Sequence, residues 1–152
     1  MLKPTKILVP TDFSVNSDKA LKQALDLAAE YNAKVYVVHV VHEGVHSALT
    51  DDYPGISITA KEIRNLEKNI LNRAKERLTK QLDKFPESKK LPVILKVTSG
   101  VAYEEILREQ DERGIDLIVI SSLGRTGMAK YLIGSVARNV LKGAKCSVLL
   151  TK

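Results

Sequence analysis

Cysteine, aromatic side chains and long apolar runs are scarce in this sequence of 152 residues. The single cysteine, Cys146, excludes an internal disulfide. Aromatic residues make up 5% of the chain and tryptophan is absent, which leaves little material for stacking the bases of nucleic acid. The longest apolar runs, at 35–41 and 117–120, are far shorter than the roughly 20 residues that span a bilayer. The composition therefore favours neither a membrane protein nor a nucleic-acid-binding protein.

The first residues, MLKPTKILVPTDF, contain no apolar segment placed before a cleavage site of small residues. We expect them to form the first strand of the fold, in a cytoplasmic protein. The net charge is +6, from 24 Lys and Arg against 18 Asp and Glu. A positive charge favours anionic partners, but these basic residues are distributed along the chain and most are expected on solvated helix faces.

Strand and helix patterns alternate along the whole sequence, with no linker, repeat or low-complexity tract. This alternation predicts one domain over residues 1–152, an α/β fold with a doubly wound, five-stranded parallel sheet and helices on both faces. The strands are predicted at 6–9, 34–41, 93–98, 115–121 and 146–151. The helices are predicted from a cap at Ser14 or Ser17 to Tyr31, from Thr59 to about Phe85, at 102–113 and at 135–142, and 43–57 is the one long irregular segment.

A glycine-rich segment follows the fourth predicted strand, at the edge of the sheet where ligands of such folds bind. Gly124 and Gly127 let backbone N–H groups approach a phosphate and allow positive φ. Ser135 is predicted to cap the last helix, which leaves the N–H groups of Val136 and Ala137 for an anion. The segment therefore predicts a phosphate site. The alternative is that the glycines only allow the loop to turn, since the segment contains neither a P-loop motif nor a dinucleotide GxGxxG.

The sequence resembles the universal stress protein family over nearly its whole length. The resemblance lies in KILVPTDFS at 6–14, VVHVV at 37–41, DLIVIS at 116–121 and GRTGMAKYLIGSVARNVLKGAKCSVLLTK at 124–152. Members of that family that bind ATP carry the pattern G-x2-G-x9-G-[S/T]. The corresponding residues here are Ser121, Gly124, Gly134 and Ser135, so three of the four positions match.

The resemblance implies a Rossmann-like fold and an ATP site, with Mg²⁺ held mainly by the phosphates. Asp12 would hold the ribose hydroxyls, and Ser121 would lie beside the ribose. A carboxylate at the end of the first strand suits two sugar hydroxyls, although an Asx-turn or capping role for Asp12 is the alternative. The other implied residues line the base and sugar pocket or hold phosphates: Pro10, Thr11, Val40, Gly124, Arg125, Thr126, Gly127, Gly134, Ser135 and Val136.

Two residues depart from the family pattern at the sugar end of the predicted site. Ser121 replaces the first glycine, and Leu123 replaces the histidine often found before the second glycine. If the backbone at Ser121 needs positive φ, serine there costs roughly 1 kcal/mol or more. The side chain of Ser121 would either crowd the ribose or form a hydrogen bond with it.

The resemblance also implies a homodimer. In the strand order 3-2-1-4-5 the last strand lies at an edge of the sheet, and an exposed apolar edge favours pairing with another chain. Antiparallel pairing of this strand with its copy would place Val148, Leu149 and Leu150 at the interface.

The predicted function is an ATP-binding regulatory module of the stress response, with a possible protein client that the sequence does not name. One alternative is an ATP hydrolase or phosphotransferase of the same fold, and another is a nucleotide-free dimeric interaction protein. No catalytic residue is assigned, because no His, Glu or Gln in the glycine-rich loop is placed to orient water. No metal site is predicted at His42 and His46, since the nearby Gly44 argues against a shared helical face. His39, within an apolar strand, is expected to be structural with a hydrogen-bonded ring.

Overall fold

A five-stranded parallel sheet with strand order β3-β2-β1-β4-β5 organises the chain. The computed structural model describes residues 2–42, 55, 58–124 and 132–152. The predicted fold class and strand order are confirmed. The strands are β1 (Lys6–Pro10), β2 (Lys34–His42), β3 (Val93–Gly100), β4 (Leu117–Ser121) and β5 (Ser147–Thr151). The helices are α1 (Val15–Tyr31), α2 (Ala60–Asp83), α3 (Ala102–Arg113) and α4 (Ser135–Gly143), and a short 3₁₀ helix covers Pro86–Lys90.

Successive residues of the central strand β1 pack into two different cores. Ile7 and Val9 lie with residues of α1 and of α2, such as Leu21 and Leu78, on one face of the sheet. Leu8 lies on the other face with residues of α3 and α4. Because side chains alternate across a strand, a continuous apolar run such as β1 supplies both cores. This explains why the inner strands lack the alternation of a half-exposed sheet.

The helix ends follow local signals in the sequence. Ser14 caps α1 and accepts a hydrogen bond from the Ser17 N–H, while Thr59 and Glu62 form a reciprocal capping box at α2. Asn32 and Gly114 end α1 and α3 in the left-handed conformation. These boundaries agree with the predicted ones to within about two residues.

Strand β4 begins two residues later than predicted, at Leu117. Asp116 instead binds the start of β1 through its side chain, accepting hydrogen bonds from the N–H groups of Thr5 and Lys6 at 3.0–3.1 Å. The carboxylate therefore anchors β1 beside β4.

The predicted irregular segment 43–57 lies outside the described residues except for Gly55. Within the described ranges, no helix is long and apolar enough to cross a membrane.

Leu78 of α2 is almost completely buried in the first core, whereas Leu66 of the same helix is 38% exposed. We expect Leu78→Ala to lower the free energy of unfolding by about 2–5 kcal/mol, because it leaves a cavity among packed side chains. Leu66→Ala is the matched control and should change it by less than about 0.5 kcal/mol. Urea unfolding of both variants measures the difference. Equal effects would contradict the packing described for α2.

Candidate functional site

A cleft opens at the carboxyl ends of the strands, between β1 and β4, where the order of the strands reverses. Parallel α/β sheets bind ligands at this switch point. Nine of the residues predicted for the nucleotide site line this one cleft: Pro10, Thr11, Asp12, Val40, Ser121, Gly124, Gly134, Ser135 and Val136. The remaining three, Arg125, Thr126 and Gly127, lie outside the described residues. The fold thus brings together residues that are more than 120 positions apart in the sequence.

Asp12 lies in the loop between β1 and α1 and uses its two carboxylate oxygens differently. Oδ1 accepts a hydrogen bond from the Ser14 N–H at 3.0 Å, which is the Asx-turn alternative of the sequence analysis. Oδ2 faces Gly124, where a Cβ atom would lie 3.3 Å from it. The local turn therefore fixes the orientation of the carboxylate through Oδ1.

The hydroxyl of Thr11 is buried beneath the cleft in a polar network. Its Oγ1 accepts a hydrogen bond from the Phe13 N–H at 3.1 Å and lies 2.8 Å from Gln81 Oε1, to which it donates. Gln81 comes from α2 and donates through Nε2 to Asp18 Oδ1 at 2.7 Å. Every member has a hydrogen-bond partner, as buried polar groups require. The network fixes the β1–α1 loop against α2.

Phe13, the residue after Asp12, adopts φ of 65°. This left-handed conformation is unusual for a bulky side chain and costs about 1–2 kcal/mol. The ring is 4.2 Å from the ring of His39 between centroids, and the Arg77 guanidinium carbon lies 4.2 Å from the Phe13 centroid. His39 Nδ1 lies 2.8 Å from the carbonyl oxygen of Thr11, which fits the structural role expected for this histidine. Phe13 was not predicted as a site residue, because no residue pattern marks a phenylalanine for positive φ.

The end of β4 corrects two expectations about backbone conformation. Neither Ser121 nor Gly124 has positive φ, so serine at 121 does not carry the expected conformational cost. Its Oγ donates a hydrogen bond to the Leu123 carbonyl at 2.8 Å and so stabilises the exit from the strand. Gly124 is favoured instead by its close approach to Asp12.

The N-terminus of α4 faces the cleft, but Ser135 does not cap it as predicted. Gly134 is the capping residue, with φ of −58°, and no described side chain caps this helix. The Gly134 N–H donates to the Ser122 carbonyl at 2.7 Å, and the Arg138 N–H closes the first helical turn on Gly134. Ser135 is therefore the first residue of the helix, directly after the hydrogen bond between Gly134 and Ser122. The N–H groups of Ser135, Val136 and Ala137 have no acceptor within the helix. They lie at the positive end of the helix dipole and can bind an anion.

Apolar side chains also line the cleft. They come from β2, β4, α3 and α4, and they are Val38, Val40, Ala102, Ile106, Ile120 and Ala137. An apolar wall suits the faces of a planar ring, while the amides of α4 suit phosphates. The lining of the cleft therefore combines apolar side chains, the Asp12 carboxylate and the N-terminus of α4. Among the described side chains, no group of three or more His, Cys, Asp and Glu could hold a metal ion.

Comparisons with known proteins identify the family of this chain. The model of the Universal stress protein family matches residues 4–152. The chain belongs to the universal stress protein family. It is 33% identical over 147 residues to the universal stress protein MJ0531 of Methanocaldococcus jannaschii, which is 97% of this chain and 81% of that protein.

Solved structures of universal stress proteins and related chains share the fold. Protein MJ0577 of the same organism superposes with a TM-score of 0.80 at 27% identity, over 99% of this chain and 97% of that one. The universal stress protein from Archaeoglobus fulgidus in complex with dAMP gives a TM-score of 0.64 at 23% identity, over 99% and 100% of the two chains. The strand order found here is therefore that of the family.

As the strand order predicted, β5 of this universal stress protein is an edge strand, which pairs with β4. Val148, Leu149 and Leu150 are half-buried on it, and their side chains pack into the two cores. The Thr151 carbonyl accepts from the Ser122 N–H. Because backbone groups alternate in direction along a strand, those of Val148 and Leu150 point away from β4, towards the open edge.

Proposed function

We propose that this universal stress protein binds ATP in the cleft between β1 and β4 and acts as a cytoplasmic regulatory module of the stress response. The observation that carries the proposal is the convergence of nine predicted nucleotide residues on one cleft. The complex of the A. fulgidus protein with dAMP supports an adenine nucleotide as the ligand. The match of the chain to the family from end to end supports the same assignment.

Each part of ATP has a chemically suitable counterpart in the cleft. The adenine ring would lie against the apolar wall beside Val40. Oδ2 of Asp12 would accept hydrogen bonds from the ribose hydroxyls, as a carboxylate at this edge does in related folds. The phosphates would bind the free N–H groups at the start of α4 and the backbone at Gly124. Mg²⁺ would be held mainly by the phosphates, because this ion retains several waters and prefers oxygen ligands.

We also propose that the protein is a homodimer formed through β5. The open edge of this strand offers the backbone groups of Val148 and Leu150 for pairing, and an apolar edge favours such pairing. Around the two-fold axis of an antiparallel pair, each strand would present the same groups to its copy. A protein client would be the target of such a regulatory module.

Asp12→Asn tests the proposed ribose contact. The amide oxygen of asparagine still accepts from the Ser14 N–H, but an NH₂ donor replaces Oδ2 opposite the sugar hydroxyls. We expect the Kd for ATP to rise about tenfold, which corresponds to about 1.4 kcal/mol. Isothermal titration with Mg-ATP measures the change.

The matched control is Asp26→Asn, which removes the same charge from the exposed face of α1, where Asp26 pairs with Lys22. This variant should bind ATP as the wild type does, because a solvated charge outside the cleft contributes little. If Asp12→Asn retains the wild-type affinity, the assignment of Asp12 to the ribose is wrong.

A further inference from the structure

We propose that Arg77 and Phe13 are positioning residues that hold the Asp12 carboxylate in place for the sugar of the nucleotide. The inference rests on the proposed ATP site and adds residues of α2 to it. Phe13 follows Asp12 directly in the chain, and Arg77 is an exposed residue of α2 whose guanidinium covers the Phe13 ring.

The conformation of the loop indicates why a positioning device is needed. Phe13 adopts positive φ, and a bulky residue retains that conformation only where its surroundings determine it. Strained residues of this kind concentrate at functional sites. The ring contacts both His39 and Arg77. These two contacts therefore restrain the direction in which the chain leaves Asp12.

The helix α2 holds the same loop at a second point. Gln81 lies four residues after Arg77, on the same face of the helix, and its Oε1 is 2.8 Å from Thr11 Oγ1. The residues on either side of Asp12 are therefore both bound to α2, one through a hydrogen bond and the other through a ring contact. The carboxylate between them is itself restrained by the Ser14 N–H. Loss of the Arg77 side chain should therefore make the loop more mobile at Phe13, next to Asp12.

The consequence is a specific defect in recognition of the sugar. A variant that loosens the loop should lose the contacts of Asp12 with ribose hydroxyls but keep those of the α4 amides with phosphates. It should therefore discriminate less between ATP and 2′,3′-dideoxy-ATP, which lacks both hydroxyls. A residue with a purely structural role would lower thermal stability without changing this ratio of affinities.

The experiment uses Arg77→Ala and Phe13→Ala in the full-length chain, with two readouts. The first is amide hydrogen exchange at Phe13 and Ser14, whose N–H groups bind Thr11 Oγ1 and Asp12 Oδ1. We expect exchange at both amides to become about tenfold faster, as local opening becomes easier. The second is the ratio of the Kd for dideoxy-ATP to the Kd for ATP. It should fall from about tenfold or more in the wild type to about twofold, a loss comparable to that of one typical hydrogen bond.

Arg73→Ala is the matched control for Arg77→Ala, since Arg73 is an exposed arginine one turn earlier on α2. Phe13→Tyr retains the ring, so both its exchange rates and its ratio of affinities should match those of the wild type. Unchanged exchange at Phe13 and Ser14 in both alanine variants would overturn the proposal. So would an unchanged ratio of affinities where the wild type discriminates. A wild type that binds no ATP would instead refute the proposed function, and the exchange data would still decide whether Arg77 and Phe13 fix the loop.

Discussion

Gly124→Val should raise the Kd for ATP by about a hundredfold or more, equivalent to about 2.8 kcal/mol. A Cβ atom on Gly124 would lie 3.3 Å from Asp12 Oδ2, which is already tight, and the two methyl groups of valine extend further. Either the carboxylate is displaced or the backbone of the loop moves away from the phosphates. Crowding of this kind typically costs about 1–3 kcal/mol at a packed site.

Titration with Mg-ATP measures the effect, and Gly124→Ala provides a graded comparison. Alanine adds the Cβ atom alone, which the carboxylate can accommodate by a shift of a few tenths of an ångström, so we expect a change of about tenfold or less. Thermal unfolding of both variants checks that the fold is retained. Wild-type affinity in Gly124→Val would show that ATP does not bind along this part of the loop.

Gly124→Val also tests the alternative function, an ATP hydrolase or phosphotransferase of the same fold. If the protein hydrolyses ATP, release of product should stop in Gly124→Val and continue in Asp26→Asn. Phosphoryl transfer requires an oriented nucleophile as well as stabilisation of charge. The described part of the cleft contains Asp12 and His39 as titratable side chains, and both already bind the loop between β1 and α1.

Val148→Pro should convert the proposed dimer into a monomer, halving the mass measured by light scattering. The N–H group of Val148 points to the open edge of β5, so proline removes a donor from that edge and none from the ladder with β4. Proline is tolerated in edge strands when its position faces outward. The chain should therefore stay folded while it loses pairing with its copy.

Val148→Thr is the matched control, because threonine keeps the N–H group and a branched side chain suited to strands. It should remain dimeric. Leu149→Pro, in contrast, removes a group that faces β4 and should destabilise the fold itself. A wild-type mass for Val148→Pro would exclude the dimer through β5.

The fold was predictable because its signals are local or periodic. The apolar runs of β1 and β4 indicate strands that are covered by helices on both faces. The alternation of strands with helices then restricts the possible strand orders of the sheet to a few. Residues such as Ser14, Thr59 and Gly114 then mark helix ends through their own side chains or conformational freedom. The start of β4 was predicted less well because Asp116 binds across to β1, and a contact between residues more than 100 positions apart leaves no local signal.

The site was predictable in its composition but not in its geometry. The family pattern identified Asp12, Gly124 and Gly134, and the fold brings them to one cleft. The reason for glycine at 124 differs from the expected one, since a close approach to Asp12 replaces positive φ. Phe13 was missed, because its conformation depends on contacts with the ring of His39 in β2 and the guanidinium of Arg77 in α2. Such contacts depend on packing between elements, which a single sequence does not specify.

Equilibrium titration of the purified chain with Mg-ATP, after removal of co-purified nucleotide, tests the proposed ATP site most directly. The convergence of Asp12, Gly124 and the start of α4 predicts saturable binding of one ATP per chain. It also predicts that adenosine, which has the base and sugar but no phosphates, binds at least about tenfold more weakly, since charge-assisted bonds to phosphate are the strong ones. Absence of saturable binding at millimolar ATP would contradict the account and favour a nucleotide-free interaction protein.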